Sequence, residues 1–165
     1  MIGTAALHKA VSKVWDYSSL DGRFKDLWGS SVTASEFPVL HDQEAGPGQP
    51  FPYCVFEQSV GSTIDRMSGG VSALREIRDI PWSFHIHAKR ISADPRSAKE
   101  IAAELAEDVM KEFGGHPTVK AQDLVIDIGN VLVNQYQGDY GVRTGEEEYQ
   151  WIVNYVFKID VPVAV

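Results

Sequence analysis

The stretch that most limits how this chain can fold is Ile80 to Gly115, IPWSFHIHAKRISADPRSAKEIAAELAEDVMKEFGG. Trp82, Phe84, Ile86 and Ala88 alternate with Ser83, His85, His87 and Lys89. A period of two places the apolar set on one face of a strand and the polar set on the other. Asp94 is then read as a helix cap and Pro95 as the first helical residue, where its missing N–H costs nothing. Ala98, Ile101, Ala102, Leu105, Val109 and Phe113 recur at three- and four-residue steps, giving one apolar helical stripe. Gly114-Gly115 is expected to end the helix as a left-handed cap, with Pro117 blocking continuation.

The rest of the chain is read as layers added to this strand and helix. Thr4 to Tyr17 patterns as a helix with Leu7, Ala10, Val11 and Val14 on one face and Trp15 at its edge. Asp21 to Trp28 adds a short helical piece with Phe24, Leu27 and Trp28 inward. Residues 30–50 are long and irregular, with one short extended segment expected in Val32 to Leu40, at a sheet edge. Phe51 to Val60 is a strand interior to the sheet. Residues 61–79 form a hairpin excursion leading into the opening strand.

Beyond the long helix, Asp123 to Tyr136 is a strand whose apolar parity flips at Gly129. A β-bulge at Gly129-Asn130 and a sheet apolar on both faces account for the flip equally well. Residues 137–148, QGDYGVRTGEEE, are read as a flexible polar connection. Tyr149 to Val161 is the last strand, with Trp151, Val153, Tyr155, Phe157 and Ile159 on one face. The expected architecture is α+β in a single domain, 1–165. A mostly antiparallel sheet of four to five strands carries the N-terminal helix and the long helix on one face.

Bulk properties narrow the function classes. The 165 residues suffice to bury a core. A net charge of -8 argues against gripping nucleic-acid phosphates by mass electrostatics. The single cysteine, Cys54, lies in an apolar run and is read as a small buried hydrophobe in a reducing compartment. His8, Lys9 and Lys13 interrupt any secretory apolar region, and no apolar run approaches bilayer length.

Three patterns carry candidate chemistry. His85 and His87 share one strand face, as two ligands of one metal would. Lys89 on that face would repel a cation, and His8, His41 and His116 are scattered. Glu146, Glu147 and Glu148 form an acidic run, read as a solvated cluster rather than a catalytic carboxylate pair. Ser68-Gly69-Gly70 lacks the lysine and helix signature of a phosphate loop, and no Gly-x-Ser-x-Gly elbow occurs. Composition and spacing thus give an α+β domain with no convincing active site.

The order of elements and several local words resemble the tail terminator (tail completion) proteins of tailed bacteriophages and prophages. The words are PYCVFEQ at Pro52 to Gln58, Ser68-Gly69-Gly70, WSFHIHAKR, SAKEIAAELAEDVMKEF and the terminal YQWIVNYVFKIDV. The resemblance covers about nine-tenths of the chain and departs from the family in longer segments at residues 30–50 and 61–79. It implies a non-enzymatic virion protein without cofactor or metal, assembled in host cytoplasm. The protein would form a ring with itself, typically a hexamer. That ring would cap the head-proximal end of the tail tube, stop polymerisation of the tube protein and meet the head connector. Genomic DNA would pass through without specific binding, and no membrane is involved. Glu146, Glu147 and Glu148 become candidate channel-lining groups, and Arg66, Ser68, Gly69, Gly70 and Arg75 a candidate partner-contact loop. Two alternatives remain open: another neck or tail-tube component, and a small metalloenzyme built on His85 and His87.

Overall fold

The computed structural model describes residues 2–29, 37–42, 44–58, 63–68, 74–121, 124 and 130–162. In chain order these form α1 (Ile2–Tyr17), α2 (Leu20–Lys25), β1 (Leu40–Asp42), β2 (Tyr53–Gln58), β3 (Thr63–Ser68), β4 (Leu74–Lys89), α3 (Ala98–Phe113), β5 (Asn130–Gly145) and β6 (Glu148–Pro162). The six-stranded sheet has the order β1-β2-β4-β6-β5, with β3 also paired to β4. Every pairing is antiparallel except β1 with β2. The α+β class and mostly antiparallel sheet are those the sequence predicts.

β4 is longer than the strand read from Ile80 onward, because the hairpin excursion belongs to it. β2 and β3 lie end to end along one flank of β4. Gln58 pairs with Trp82 and Thr63 with Asp79. Between those pairs β4 supplies Ile80 and Pro81, and Pro81 has no N–H for a ladder. The other flank of β4 pairs with β6 from Arg75↔Pro162 to Lys89↔Glu148 without a register shift.

The apolar face forms as the alternation predicts. Trp82, Phe84, Ile86 and Ala88 are fully buried, as are Val153 and Phe157 of β6. Both main helices pack on this face. Phe84 lies 5.9 Å from the Trp15 ring of α1 and 4.7 Å from Phe113 of α3. Trp82 stacks on Tyr155 at 4.7 Å. Such aromatic pairs are worth about 0.5–1.5 kcal/mol each beyond area burial. Trp28, just past α2, donates to the Pro52 carbonyl at 2.8 Å and ties the loop before β2 to the helical layer.

The start of α3 differs from the sequence reading. The cap is Ser97, whose hydroxyl accepts from the Glu100 N–H at 3.2 Å. Asp94 and Pro95 belong to the preceding turn. There the Asp94 carboxylate accepts from the backbone N–H of Arg96 at 2.9 Å and from its guanidinium. The C-terminus is as expected, with Gly114 at φ 126° and Gly115 at φ 97°. Sheet side chains satisfy its last carbonyls. Asn134 donates to Phe113 at 2.7 Å and the Tyr155 hydroxyl donates to Gly114 at 2.8 Å.

Two further corrections concern strands. The extended segment expected in Val32 to Leu40 appears as β1 at Leu40–Asp42. Residues 137–145, read as a polar connection, continue β5. The proposed bulge at Gly129-Asn130 falls partly outside the described residues. β5 does carry register shifts, at Val131/Val133, Tyr136/Gly138 and Arg143/Gly145.

Candidate functional site

Among the described residues no helix packs on the second face of the sheet, which holds the residues that drew chemical interest. The antiparallel register fixes what meets there. One row runs His41–Val55–His85–Ile152–Tyr140 and the next Tyr53–His87–Gln150–Val142. This face is partly polar and partly apolar, with Val55 and Ile152 buried and Tyr140 and Val142 exposed.

His85 is engaged at both ring nitrogens. Gln150 donates its amide N–H to Nδ1 at 2.7 Å. Nε2 lies 3.1 Å from Glu57 Oε1 and 2.9 Å from Ser83 Oγ. An acceptor Nδ1 places the proton on Nε2, which then faces the Glu57 carboxylate. No lone pair of His85 is left pointing into open space. Burial lowers its pKa, with Glu57 opposing that shift.

His87 stacks on Tyr53, and its pKa is lowered to about 4 by burial first and by the neighbouring His85, against Glu148. His41 reaches this face on β1, two strand spacings or about 9–10 Å from His85. Among the described residues, no group of three or more His, Cys, Asp or Glu is placed to hold a metal. Lys89 lies 3.2 Å from Glu148 Oε1 and 4.2 Å from the Phe51 ring centroid, closing one end of the face. The sequence reading named the two histidines and Lys89 but missed Tyr53, Glu57 and Gln150. The alternation of β2 carried the signal for Tyr53 and Glu57, and that of β6 the signal for Gln150, once each strand is paired with β4.

The acidic run splits by position. Glu146 and Glu147 make the tight turn between β5 and β6, both exposed. Glu148 opens β6 and is half-buried beside Lys89. Arg90, Lys99 and Arg143 border the same turn, so the run is not an isolated negative patch. Of the candidate contact loop, Arg66 and Ser68 stand on β3 opposite Glu76 and Leu74, and Arg75 stands on β4 opposite Met67. Gly69 and Gly70 lie outside the described residues.

A third feature had no counterpart in the sequence reading. A groove of about 910 Å³ runs between α1 and the β1 edge, lined by His8, Lys9, Lys13, Tyr17, Leu40 and Phe56 among others. His8 Nδ1 lies 3.1 Å from Asp42 within it. Among the described residues, no helix is long and apolar enough to cross a membrane.

No protein-family model matches the chain. A solved structure of the virion of a native gene transfer agent (GTA) particle contains a chain of similar fold. Its TM-score is 0.54 at 14% identity, covering 97% of this chain and 99% of that chain. The α+β arrangement is therefore shared end to end, not in one motif. A 6-methylsalicylic acid synthase of Arthrobotrys oligospora is 30% identical over 90 residues, 54% of this chain and 5% of the synthase. The chain thus spans about one-twentieth of that protein's length.

Proposed function

We propose that this protein is a non-enzymatic structural component of a phage-like virion, and specifically a tail terminator. It assembles with itself into a ring at the head-proximal end of the tail tube, halts tube growth and offers its other surface to the head connector. The observation that carries this reading is the end-to-end fold agreement with a chain of a GTA virion particle. The sequence words resembling tail terminators support it independently. The occupation of both His85 nitrogens by protein groups weighs against the metalloenzyme alternative.

Within this reading, Glu146 and Glu147 are candidate lumen groups, because exposed carboxylates repel phosphate. Arg66, Ser68 and Arg75, on the β3–β4 hairpin, are candidate contacts to a neighbouring ring component. The test is polymerisation of the cognate tube protein with and without this chain, followed by electron microscopy. Tubes of limited length carrying a terminal ring are expected. Unchanged tube length would sink the terminator assignment.

One observation favours a second reading, a tail-tube component. β3 and β4 form the long hairpin that such a protein would use to line its tube. Filaments growing from the pure protein would select this reading.

A further inference from the structure

Two edge strands, β1 and β5, lie on opposite sides of the sheet (β3, paired only to β4, is a further edge on the β1 side), and among the described residues no further strand pairs with β1 or β5. A bare edge strand offers unpaired N–H and C=O groups to another chain. β5 is a long edge of 16 residues. The exposed apolar groups collect at these same two edges. Tyr17 (78% exposed) stands at the groove beside β1, and Tyr140 (52%) and Val142 (41%) stand on β5. Among the described residues, only Val119 is another large hydrophobic side chain so exposed.

Strand directions make the two edges compatible. β1 runs parallel to β2, and each step from β2 to β4, β6 and β5 reverses direction. β1 and β5 therefore run opposite ways. A second copy placed head to tail sets its β5 antiparallel to β1, continuing the ladder in its preferred alternation. The edges are also level, since His41 and Tyr140 are the two ends of one cross-sheet row.

We propose that these edges are the two halves of one self-interface: β5 of one copy adds beside β1 of the next, setting Tyr140 beside His41 on the helix-free face while the opposite face of β5 borders the groove under α1. The contact is heterologous, so it closes into a ring when its rotation divides a full turn. The inference rests on the ring reading above and names the surface that would build the ring.

The test uses two single-site variants of the full chain, His41→Cys and Tyr140→Cys. Cys54 stays in place because it is buried. Each variant is treated with a short bis-maleimide, alone and mixed. The mixture is expected to yield a covalent dimer that neither variant gives alone, and the double variant a ladder ending at the ring size. Self-linking of Tyr140→Cys alone would mean a two-fold β5–β5 contact and would overturn the proposal.

A second variant, Tyr140→Lys with Val142→Lys, is expected to weaken self-association by more than about tenfold with its melting temperature unchanged. Rings that persist in it, or rings without the mixed product, sink this interface and leave the terminator reading standing. A mixed product whose rings do not stop tube growth does the reverse. A chain that stays monomeric and uncrosslinked at every concentration overturns both.

Discussion

The rings of Tyr53 and His87 lie stacked across the β2–β4 boundary, centroids 4.7 Å apart and planes 13° from parallel. Burial, with His85 beside it and Glu148 opposing, holds His87 neutral. An unfolded histidine takes its proton near pH 6.5, whereas His87 in the fold resists until about pH 4. Between those values the unfolded chain binds more protons, so acidification favours unfolding. The melting temperature is expected to fall as pH drops from about 6.5 to about 4, and less steeply in His87→Gln. Parallel curves for the two proteins would remove His87 as the cause.

Phe84 is the contact point of sheet, α1 and α3, with ring neighbours Trp15, Phe56, Trp82, Phe113 and Tyr155. Phe84→Ala is expected to cost about 3–5 kcal/mol in urea unfolding. Tyr17→Ala, at a position 78% exposed, is expected to stay within about 0.5 kcal/mol.

Gly141 sits under the Tyr149 and Trp151 rings, closer than any added Cβ could tolerate. Gly141→Ala should destabilise by about 1–3 kcal/mol through overpacking. Gly46, which has nothing within 4 Å of a built Cβ, is the matched control. A shift in denaturation midpoint at Gly141→Ala and none at Gly46→Ala is the expected result.

Ser97 and Asp94 separate a helix cap from a turn clamp. Ser97→Ala is expected to lower stability by about 0.5–2 kcal/mol. Asp94 is held near pKa 2, chiefly by hydrogen bonds from Arg96. Its contribution is present above the usual carboxylate pKa and lost as pH falls toward 2. Amide exchange should therefore quicken at residues 100 and 101 in Ser97→Ala, and at residue 96 in Asp94→Ala.

If Glu146 and Glu147 face passing DNA, reversing both to lysine should make rings retain duplex DNA at low salt and release it as salt rises. Gel shifts at two ionic strengths measure this. Equal, negligible retention by both proteins would move the turn away from the lumen.

Most of the core was legible because it depends on local period. The alternation from Trp82 to Ala88 and the stripe from Ala98 to Phe113 specify buried faces without knowledge of the partner. Where tertiary context decides, sequence reasoning failed. Asp94-Pro95 carries the ordinary signature of a helix start, but Arg96 captures the Asp94 carboxylate and moves the start to Ser97. The polar, glycine-bearing run from Gln137 to Gly145 resembles a loop. As an edge strand with one face open, it tolerates that composition, and its register shifts break the alternation that would have marked it. The histidine pair was visible, but the Gln150 and Glu57 contacts that occupy His85 depend on strand pairing across 65 and 28 positions of chain.

The unbroken β4–β6 register has a mechanical meaning. A force applied along these strands, from Arg75 and Pro162 at one end to Lys89 and Glu148 at the other, loads the ladder in shear. Its hydrogen bonds then share the load and must yield together, where a force across the strands would open them one at a time. In the virion role proposed above, tension passing through a joint along these strands would load the β4–β6 pair lengthwise.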